Sequence, residues 1–279
     1  MIIDVKEITS KFLKNTRKIY ILLPPGYNKE SSKSYPVFYM NDGQNLFTIY
    51  QEGQWFKKWN MDIIIDKMLK KGYMEEILIV GIANTNKREY EYTPTYDMLE
   101  KNGGGASLYL KFVIEEVKPL IEKSYRAESN REHIAFGGSS LGGILSLYAG
   151  IKHSDVFSKL AVISPSLWWD FGVMFDLTRN WEVEPSNIKI WLDIGRKEGA
   201  GTRKENLKKI LKEIYRPVHF NRVLRDILIK KGFVKGVNLK YVEDVKGLHD
   251  EYAWARRMYP ALRFFFPKNT TPAKVNSNT

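Results

Sequence analysis

The stretch that decides the fold is Phe136-Gly137-Gly138-Ser139-Ser140-Leu141-Gly142-Gly143. An apolar run, residues 133–136, leads into it, and an apolar helical pattern, residues 141–148, leads out of it. Ser140 is the centre of a Gly-x-Ser-x-Gly pattern, because only this serine of the pair has glycine two positions before and two positions after it. A strand, a tight turn and a helix in this order hold a serine hydroxyl on a strained tip at a helix N-terminus, where backbone N–H groups favour a developing negative charge. So tight a turn predicts that neither glycine position has room for a side chain. The alternative to a catalytic serine is an ordinary glycine-rich turn in which the serine only caps the following helix.

Strands and helices are predicted to alternate along the whole chain. Apolar runs predict strands at residues 17–24, 35–40, 77–82, 133–136, 159–164, 188–195 and 237–242. Helical spacing predicts helices at residues 59–71, 107–124, 141–148, 203–215, 219–231 and 250–265, with Ser107 capping the second of them. Residues 85–102 are predicted to be a long polar and aromatic loop. This alternation indicates a single α/β domain, residues 1–267, with a mostly parallel twisted sheet flanked by helices, followed by a flexible tail at residues 268–279.

Composition limits the partners that the chain is expected to have. Lys and Arg number 44 against 32 Asp and Glu, a formal net charge of +12. The lysines are spread over many predicted helices, which indicates solvated faces rather than a nucleic-acid site. There is no cysteine, so no disulfide and no thiol nucleophile is available. Residues 1–7 lack the basic and apolar parts of a signal peptide, and no apolar run is long enough for a membrane span, so a cytoplasmic protein is expected.

A catalytic serine of this kind needs a base and an acid later in the chain, in the order Ser, acid, His. Of the four histidines, His249 alone follows a predicted strand directly and precedes a helix. Two carboxylates compete for the acid. Asp193 lies inside a predicted strand, whereas Glu198 lies in the loop three residues past Gly195, where a side chain can turn toward His249. Glu198 is therefore the favoured acid, although residues 196–198 could equally be a solvated charge run.

Two further loops follow predicted strands and are expected to border a cleft, because crevices in α/β sheets open at the carboxyl ends of the strands. Residues 41–45, Asn-Asp-Gly-Gln-Asn, could supply a backbone N–H to an anion or form an ordinary Asp-Gly turn. Trp168 and Trp169 could bind substrate or serve only in packing. Arg88, in the aromatic loop, is a further candidate for substrate binding.

Several separated stretches together resemble the putative esterase family of α/β-hydrolases, whose members are enterochelin esterase-like and feruloyl or acetyl esterase-like. The stretches lie at residues 23–27, 35–45, 137–143, 164–169, 193–198 and 249–254. The resemblance implies the α/β-hydrolase fold, Ser140 as nucleophile, His249 as base and Glu198 as acid. It also implies oxyanion donors at the backbone N–H groups of Leu141 and of Gln44 or Gly43, and no metal or organic cofactor.

The activity expected from these residues is that of a serine esterase acting on a small-molecule ester, with the oligomeric state left open. Hydrolysis of a siderophore trilactone is one alternative, since ferric catecholates are anionic and would suit a basic protein with Arg88 near the cleft. A non-catalytic binding protein on the same fold is the other, because a fold does not dictate a function.

Overall fold

A computed structural model describes residues 1–29, 32–48, 58–199 and 217–268. The helix predicted at residues 203–215 lies outside the described residues. So does the predicted tail, except for Lys268.

Eight strands of the described chain form one sheet in the order β1-β2-β4-β3-β7-β8-β9-β10, and β5 and β6 form a separate two-stranded ribbon. The strands are β1 (Ile2–Thr9), β2 (Thr16–Leu23), β3 (Val37–Asn41), β4 (Leu78–Ile82), β5 (Tyr96–Asp97), β6 (Asn102–Gly103), β7 (Ile134–Ser139), β8 (Lys159–Ile163), β9 (Lys189–Gly195) and β10 (Leu239–Asp244). Strand β2 pairs antiparallel with β1 and β4. The other neighbouring strands of the large sheet are parallel, namely β4–β3, β3–β7, β7–β8, β8–β9 and β9–β10. The mostly parallel sheet predicted from the sequence is therefore confirmed.

The helices are α1 (Met61–Lys70), α2 (Arg88–Tyr92), α3 (Ala106–Phe112), α4 (Lys118–Ser124), α5 (Leu141–Lys152), α6 (Val173–Arg179), α7 (Pro217–Lys230) and α8 (Glu251–Phe265). A π-helical turn, Val113–Val117, joins α3 to α4. Ser107 does not cap α3 as predicted. It lies inside the helix, which begins after Gly105, and its hydroxyl bonds to the Tyr148 hydroxyl at 2.8 Å.

The sequence prediction missed several pieces of secondary structure, among them helix α6. Strand β1 is mostly exposed and mixes charged with apolar residues, so it lacks the apolar run that marks the other strands. Residues 85–102 are not simply a loop, because they contain α2 and the first strand of the β5–β6 ribbon. Helix α2 and the two ribbon strands are too short for a periodic signal and are held by tertiary contacts instead.

The sheet lies between two apolar clusters, because alternate side chains of a strand point to opposite faces. In β3, Val37 and Tyr39 pack in one cluster, and Phe38 and Met40 pack in the other. The first cluster includes residues of α3, α5 and α7, and the second includes residues of α1 and α8. Helix α5 is almost completely buried, so the helix that follows Ser140 is held firmly against the sheet.

Ser140 forms the turn between β7 and α5. Its φ and ψ are 59° and −119°, a region that non-glycine residues rarely adopt. The Ser140 amide donates to the carbonyl of Ile163 in β8 at 3.0 Å, which fixes the turn to the neighbouring strand. Strands β7, β8, β9 and β10 are parallel neighbours, so the loops after them all reach the edge of the sheet at which Ser140 stands.

The glycines around Ser140 do not all serve the same purpose. A Cβ at Gly138 would lie 3.0 Å from the Asn41 side chain, whereas one at Gly142 would make an ordinary contact of 3.4 Å with that residue. The prediction that the position two after the serine has no room is therefore wrong. The tighter position on the helix is Gly143, where a Cβ would lie 2.8 Å from the Ile163 carbonyl oxygen.

Gly143→Ala is expected to lower the free energy of unfolding by about 1–3 kcal/mol, because the extra methyl meets backbone that must shift. Gly142→Ala is expected to change it by less than about 1 kcal/mol, since alanine also favours a helix over glycine. Urea unfolding of both variants measures the difference. Equal losses in the two variants would contradict the assignment of the close helix–strand contact to Gly143.

Candidate active site

Three side chains from separate loops form a continuous hydrogen-bonded chain. The Oγ of Ser140 lies 3.1 Å from Nε2 of His249, and Nδ1 of His249 lies 2.8 Å from Oε2 of Glu198. A hydroxyl, an imidazole and a carboxylate in this order can pass a proton from the hydroxyl to the imidazole, and the carboxylate stabilises the imidazolium that results.

His249 is fixed by the residues that follow it. Asp250 caps α8 by accepting a bond from the Ala253 amide at 2.9 Å, which sets where the helix begins. The Trp254 ring meets the imidazole edge-to-face, with centroids 4.9 Å apart. The imidazole is 43% exposed, so its Nε2 side remains open to a ligand above Ser140.

Glu198 is buried, with 1% of its side chain exposed, in the loop after β9. Its Oε1 accepts from the Ser164 hydroxyl at 2.6 Å and from the Gly195 amide at 2.7 Å. These donors hold one carboxylate oxygen and leave Oε2 for His249. Donors of this kind stabilise the ionised carboxylate despite its burial.

The structure brings Glu198, and not Asp193, to His249. Asp193 accepts from Nε1 of Trp191 at 2.7 Å and pairs with Nε of Arg257 at 3.1 Å. Burial raises the pKa of Asp193 to about 6, and Arg257 and the Trp191 bond limit the rise. Its position inside β9 directs it away from the histidine loop.

Arg257 was missed by the sequence prediction. It lies on α8 and is 4% exposed, in contact with both Asp193 and Glu198. A sequence signal for it exists, because position 257 falls on the same helical face as the apolar residues Trp254, Met258 and Leu262. A charged residue in that register indicates a buried partner of opposite charge.

Ser166 was also missed. Its hydroxyl lies 3.0 Å from the Ser140 hydroxyl, and its amide donates to the Ser140 carbonyl at 3.1 Å. It therefore borders the reactive oxygen and ties the loop after β8 to the turn. The preceding Pro165 obscured it, since the Ser-Pro-Ser sequence is typical of any turn.

The two predicted oxyanion donors are both at the start of a helical turn. Leu141 is the first residue of α5, where backbone N–H groups lack intrahelical acceptors, and it lines the cavity at Ser140. Gln44 belongs to the short helical turn Gly43–Asn45 after β3. The first backbone hydrogen bond of this turn runs from the Asn45 amide to the Asp42 carbonyl. Gln44 lines another cavity, and its side chain accepts from the Asn84 amide at 3.1 Å. Its part in an oxyanion site stays a prediction.

The three predicted substrate-binding residues, Trp168, Trp169 and Arg88, all line the cavity of about 470 Å³ that holds Ser140 and His249. Trp169 is 1% exposed and donates to the Thr95 carbonyl at 3.0 Å, so most of its surface serves packing. Trp168 is half-buried and forms a wall of the cavity.

Arg88 is already paired with a carboxylate. Its Nε and Nη2 donate to the two oxygens of Asp42 at 2.7 and 2.8 Å. Burial would lower the pKa of Arg88, but the Asp42 carboxylate outweighs that effect and raises it above its ordinary value. Because Asp42 cancels its charge, Arg88 is a weak attractor for an anionic ligand.

Two features of the described residues bear on other functions. No helix in this part of the chain is both long and apolar enough to cross a membrane. Within the same residues, no group of three or more histidine, aspartate or glutamate side chains is arranged to hold a metal ion.

Comparison with known families gives a match over most of the chain. The sequence profile of the family described as "Putative esterase" matches residues 10–265. An uncharacterized protein, YbbA of Bacillus subtilis (strain 168), is 24% identical over 270 residues, covering 95% of this chain and 98% of its own. The ferri-bacillibactin esterase BesA of the same strain is 25% identical over 183 residues, covering 60% of this chain and 59% of its own.

Solved structures share the fold. A structure described as an IroE-like serine hydrolase from Shewanella oneidensis superposes with a TM-score of 0.73 at 22% identity, covering 95% of this chain and 80% of its own. A ferulic acid esterase superposes with a TM-score of 0.67 at 19% identity, covering 95% of this chain and 97% of its own. The architecture is that of the α/β-hydrolases.

Proposed function

This chain belongs to the Putative esterase family, and we propose that it hydrolyses carboxylic esters through an acyl-enzyme formed on Ser140. The observation that carries the proposal is the hydrogen-bonded chain from Ser140 Oγ to His249 Nε2 at 3.1 Å and from His249 Nδ1 to Glu198 Oε2 at 2.8 Å. Each member comes from a different loop, so the alignment is a property of the fold rather than of a local motif.

The first half of the reaction forms the acyl-enzyme. Ser140 Oγ attacks the ester carbonyl carbon while His249 Nε2 removes its proton, and Glu198 stabilises the imidazolium. The tetrahedral intermediate then collapses, and His249 gives the proton to the alcohol oxygen as the bond between carbon and that oxygen breaks. The alcohol leaves, and the acyl group remains on Ser140.

The second half repeats the same steps with water. His249 removes a proton from water as it attacks the acyl carbon, and returns the proton to Ser140 Oγ as the acid leaves. In both halves the oxyanion forms near the first turn of α5, and the Leu141 N–H is one proposed donor to it. The other proposed donor is the Gln44 (or Gly43) N–H. One such donor contributes roughly 3 kcal/mol to transition-state stabilisation.

The cavity supports a substrate with an aromatic or sugar group next to the ester. Trp168 supplies a flat apolar wall beside Ser140. A siderophore trilactone is the second candidate, and the similarity to the ferri-bacillibactin esterase favours it. Arg88 gives the siderophore candidate no support, because its charge is paired with Asp42 and attracts an anionic catecholate only weakly.

A fluorophosphonate probe is expected to label Ser140, because such probes react with serines activated by a neighbouring base. Mass spectrometry of the digested protein should find the label on the peptide that contains residue 140. Ser140→Ala should abolish labelling, whereas Ser139→Ala, the matched variant in the same turn, should keep it. A wild-type protein that stays unlabelled would favour a non-catalytic binding protein.

An ester panel separates the substrate classes. Feruloyl esters, acetylated sugars and catecholate trilactones should be compared by kcat/KM at two salt concentrations. A preference for the trilactone together with a KM that rises steeply with salt would support the siderophore function. A preference for neutral esters with little salt dependence would exclude it.

A further inference from the structure

Beneath the His249–Glu198 pair lies a second buried layer of charge. Asp193, Glu198 and Arg257 are all buried, with 0%, 7% and 4% of the whole residue exposed. They come from β9, from the loop after it and from α8. The catalytic steps proposed above make no use of Asp193 or Arg257.

The hydrogen bonds in this layer have only one possible direction. Arg257 Nη2 lies 2.5 Å from Ser164 Oγ, and a guanidinium can only donate. The Ser164 hydroxyl therefore accepts from Arg257 and turns its own hydrogen to Glu198 Oε1, 2.6 Å away. Arg257 Nη2 also lies 3.3 Å from Glu198 Oε1, so it acts on that oxygen both directly and through the serine.

The charges in the layer balance only during the reaction. At pH 7 to 8, two carboxylates and one guanidinium sum to −1, and the imidazolium of His249 brings the sum to zero. If Arg257 were present without Asp193, its positive charge would offset the charge of Glu198, and little attraction would be left for the imidazolium. Asp193 takes up the charge of Arg257, through the contact of 3.1 Å between Arg257 Nε and Asp193 Oδ1. In a buried layer such charges interact strongly.

We propose that Arg257 and Asp193 are positioning residues for the triad: Arg257 aims Glu198 at His249, and Asp193 offsets the charge of Arg257 so that Glu198 keeps its own. This inference rests on the proposed triad. Other charged groups face the layer as well. Asp244, at the end of β10, is paired with Arg256 on α8 at 2.5 Å, so this pair adds no net charge.

The test is the acid limb of the kcat/KM profile between pH 5 and 9. In the wild type this limb reflects the protonation of His249 together with that of Asp193, whose pKa of about 6 lies in the same range, and Asp193→Asn removes the second group. Asp193→Asn leaves the layer with a charge of zero, which weakens the stabilisation of the imidazolium. The acid limb is therefore expected to shift to lower pH by about one unit. Adding Arg257→Met to that variant restores −1 and should return the limb to its wild-type position. The rate should remain about tenfold or more below wild type, because Glu198 has lost its guanidinium.

Arg263→Met is the control, since it removes the same charge from an exposed position farther along α8, away from the layer, and its acid limb should not move. Arg257→Lys covers the case in which the double variant fails to fold. It keeps the charge but not the fork of donors, so its limb should stay at the wild-type pH while kcat falls about tenfold.

The proposal would be overturned if the acid limb fell at the same pH in the wild type, in Asp193→Asn and in the double variant. A limb that moves further down when Arg257 is removed from the Asp193→Asn variant would also overturn it. Fluorophosphonate labelling distinguishes the failures, because wild-type labelling at Ser140 tests the triad independently of Arg257 and Asp193.

Discussion

Ser140→Ala will lower kcat by about 10⁶-fold on a chromogenic short-chain ester. The substitution removes the Ser140 hydroxyl, whose oxygen lies 3.1 Å from His249 Nε2, so no acyl-enzyme can form on the turn. Steady-state hydrolysis with purified protein measures the loss. The residual rate should stay above that of buffer, since oxyanion donors and substrate binding remain.

The loss must come from chemistry rather than from unfolding. Alanine and serine share the same Cβ, so the strained φ of 59° at residue 140 is equally costly for both. The unfolding midpoint of Ser140→Ala should therefore lie close to that of wild type. A folded variant that keeps most of its activity would end the assignment of Ser140 as nucleophile.

Glu198→Gln will lower kcat by about 10⁴-fold, the loss expected when the acid of a triad can no longer hold its histidine in the right tautomer. The carboxylate accepts from His249 Nδ1 at 2.8 Å, which places the proton on Nδ1 and leaves Nε2 free to act as base. A glutamine amide can present its NH₂ group there instead, and it carries no charge to stabilise the imidazolium.

Asp193→Asn is the matched comparison, because it also turns a buried carboxylate of the same layer into an amide. It should cost only about tenfold near pH 8, since Asp193 contacts Trp191 and Arg257 rather than the histidine. Both variants should be assayed on the same ester at the same pH. A larger loss from Asp193→Asn would transfer the role of the acid to Asp193.

The periodic parts of the fold were predictable from the sequence. Strands such as β4 and β8 are buried on both faces and are therefore apolar throughout, which makes them visible as runs. Strand β1 covers only an edge of the sheet and carries charges that such edges tolerate, so no run marks it. The ribbon β5–β6 depends on Asp97, which is buried and accepts from the backbone of Leu99, and no periodicity reports such a contact.

The site was predictable where chain order is sufficient. Ser140 carries its own motif, and His249 was selected because it follows a strand and precedes a helix. The choice between Asp193 and Glu198 could only be a preference, because a strand residue and a loop residue five positions apart can both reach the edge of a sheet. The pairing of Arg88 with Asp42 was not visible, since it joins the first residue of α2 to the turn after β3, 46 positions earlier in the chain.

By itself, the sequence determined the architecture and the chemical type of the site. Hydrophobic periodicity and glycine placement are local properties, and they sufficed for the alternating sheet and helices and for the raised serine. Only the tertiary structure decided which carboxylate faces His249, that Arg257 lies beneath it, and that the charge of Arg88 is already cancelled. These outcomes depend on distances between side chains far apart in the chain, and on charges whose strength is set by burial, neither of which a one-dimensional pattern records.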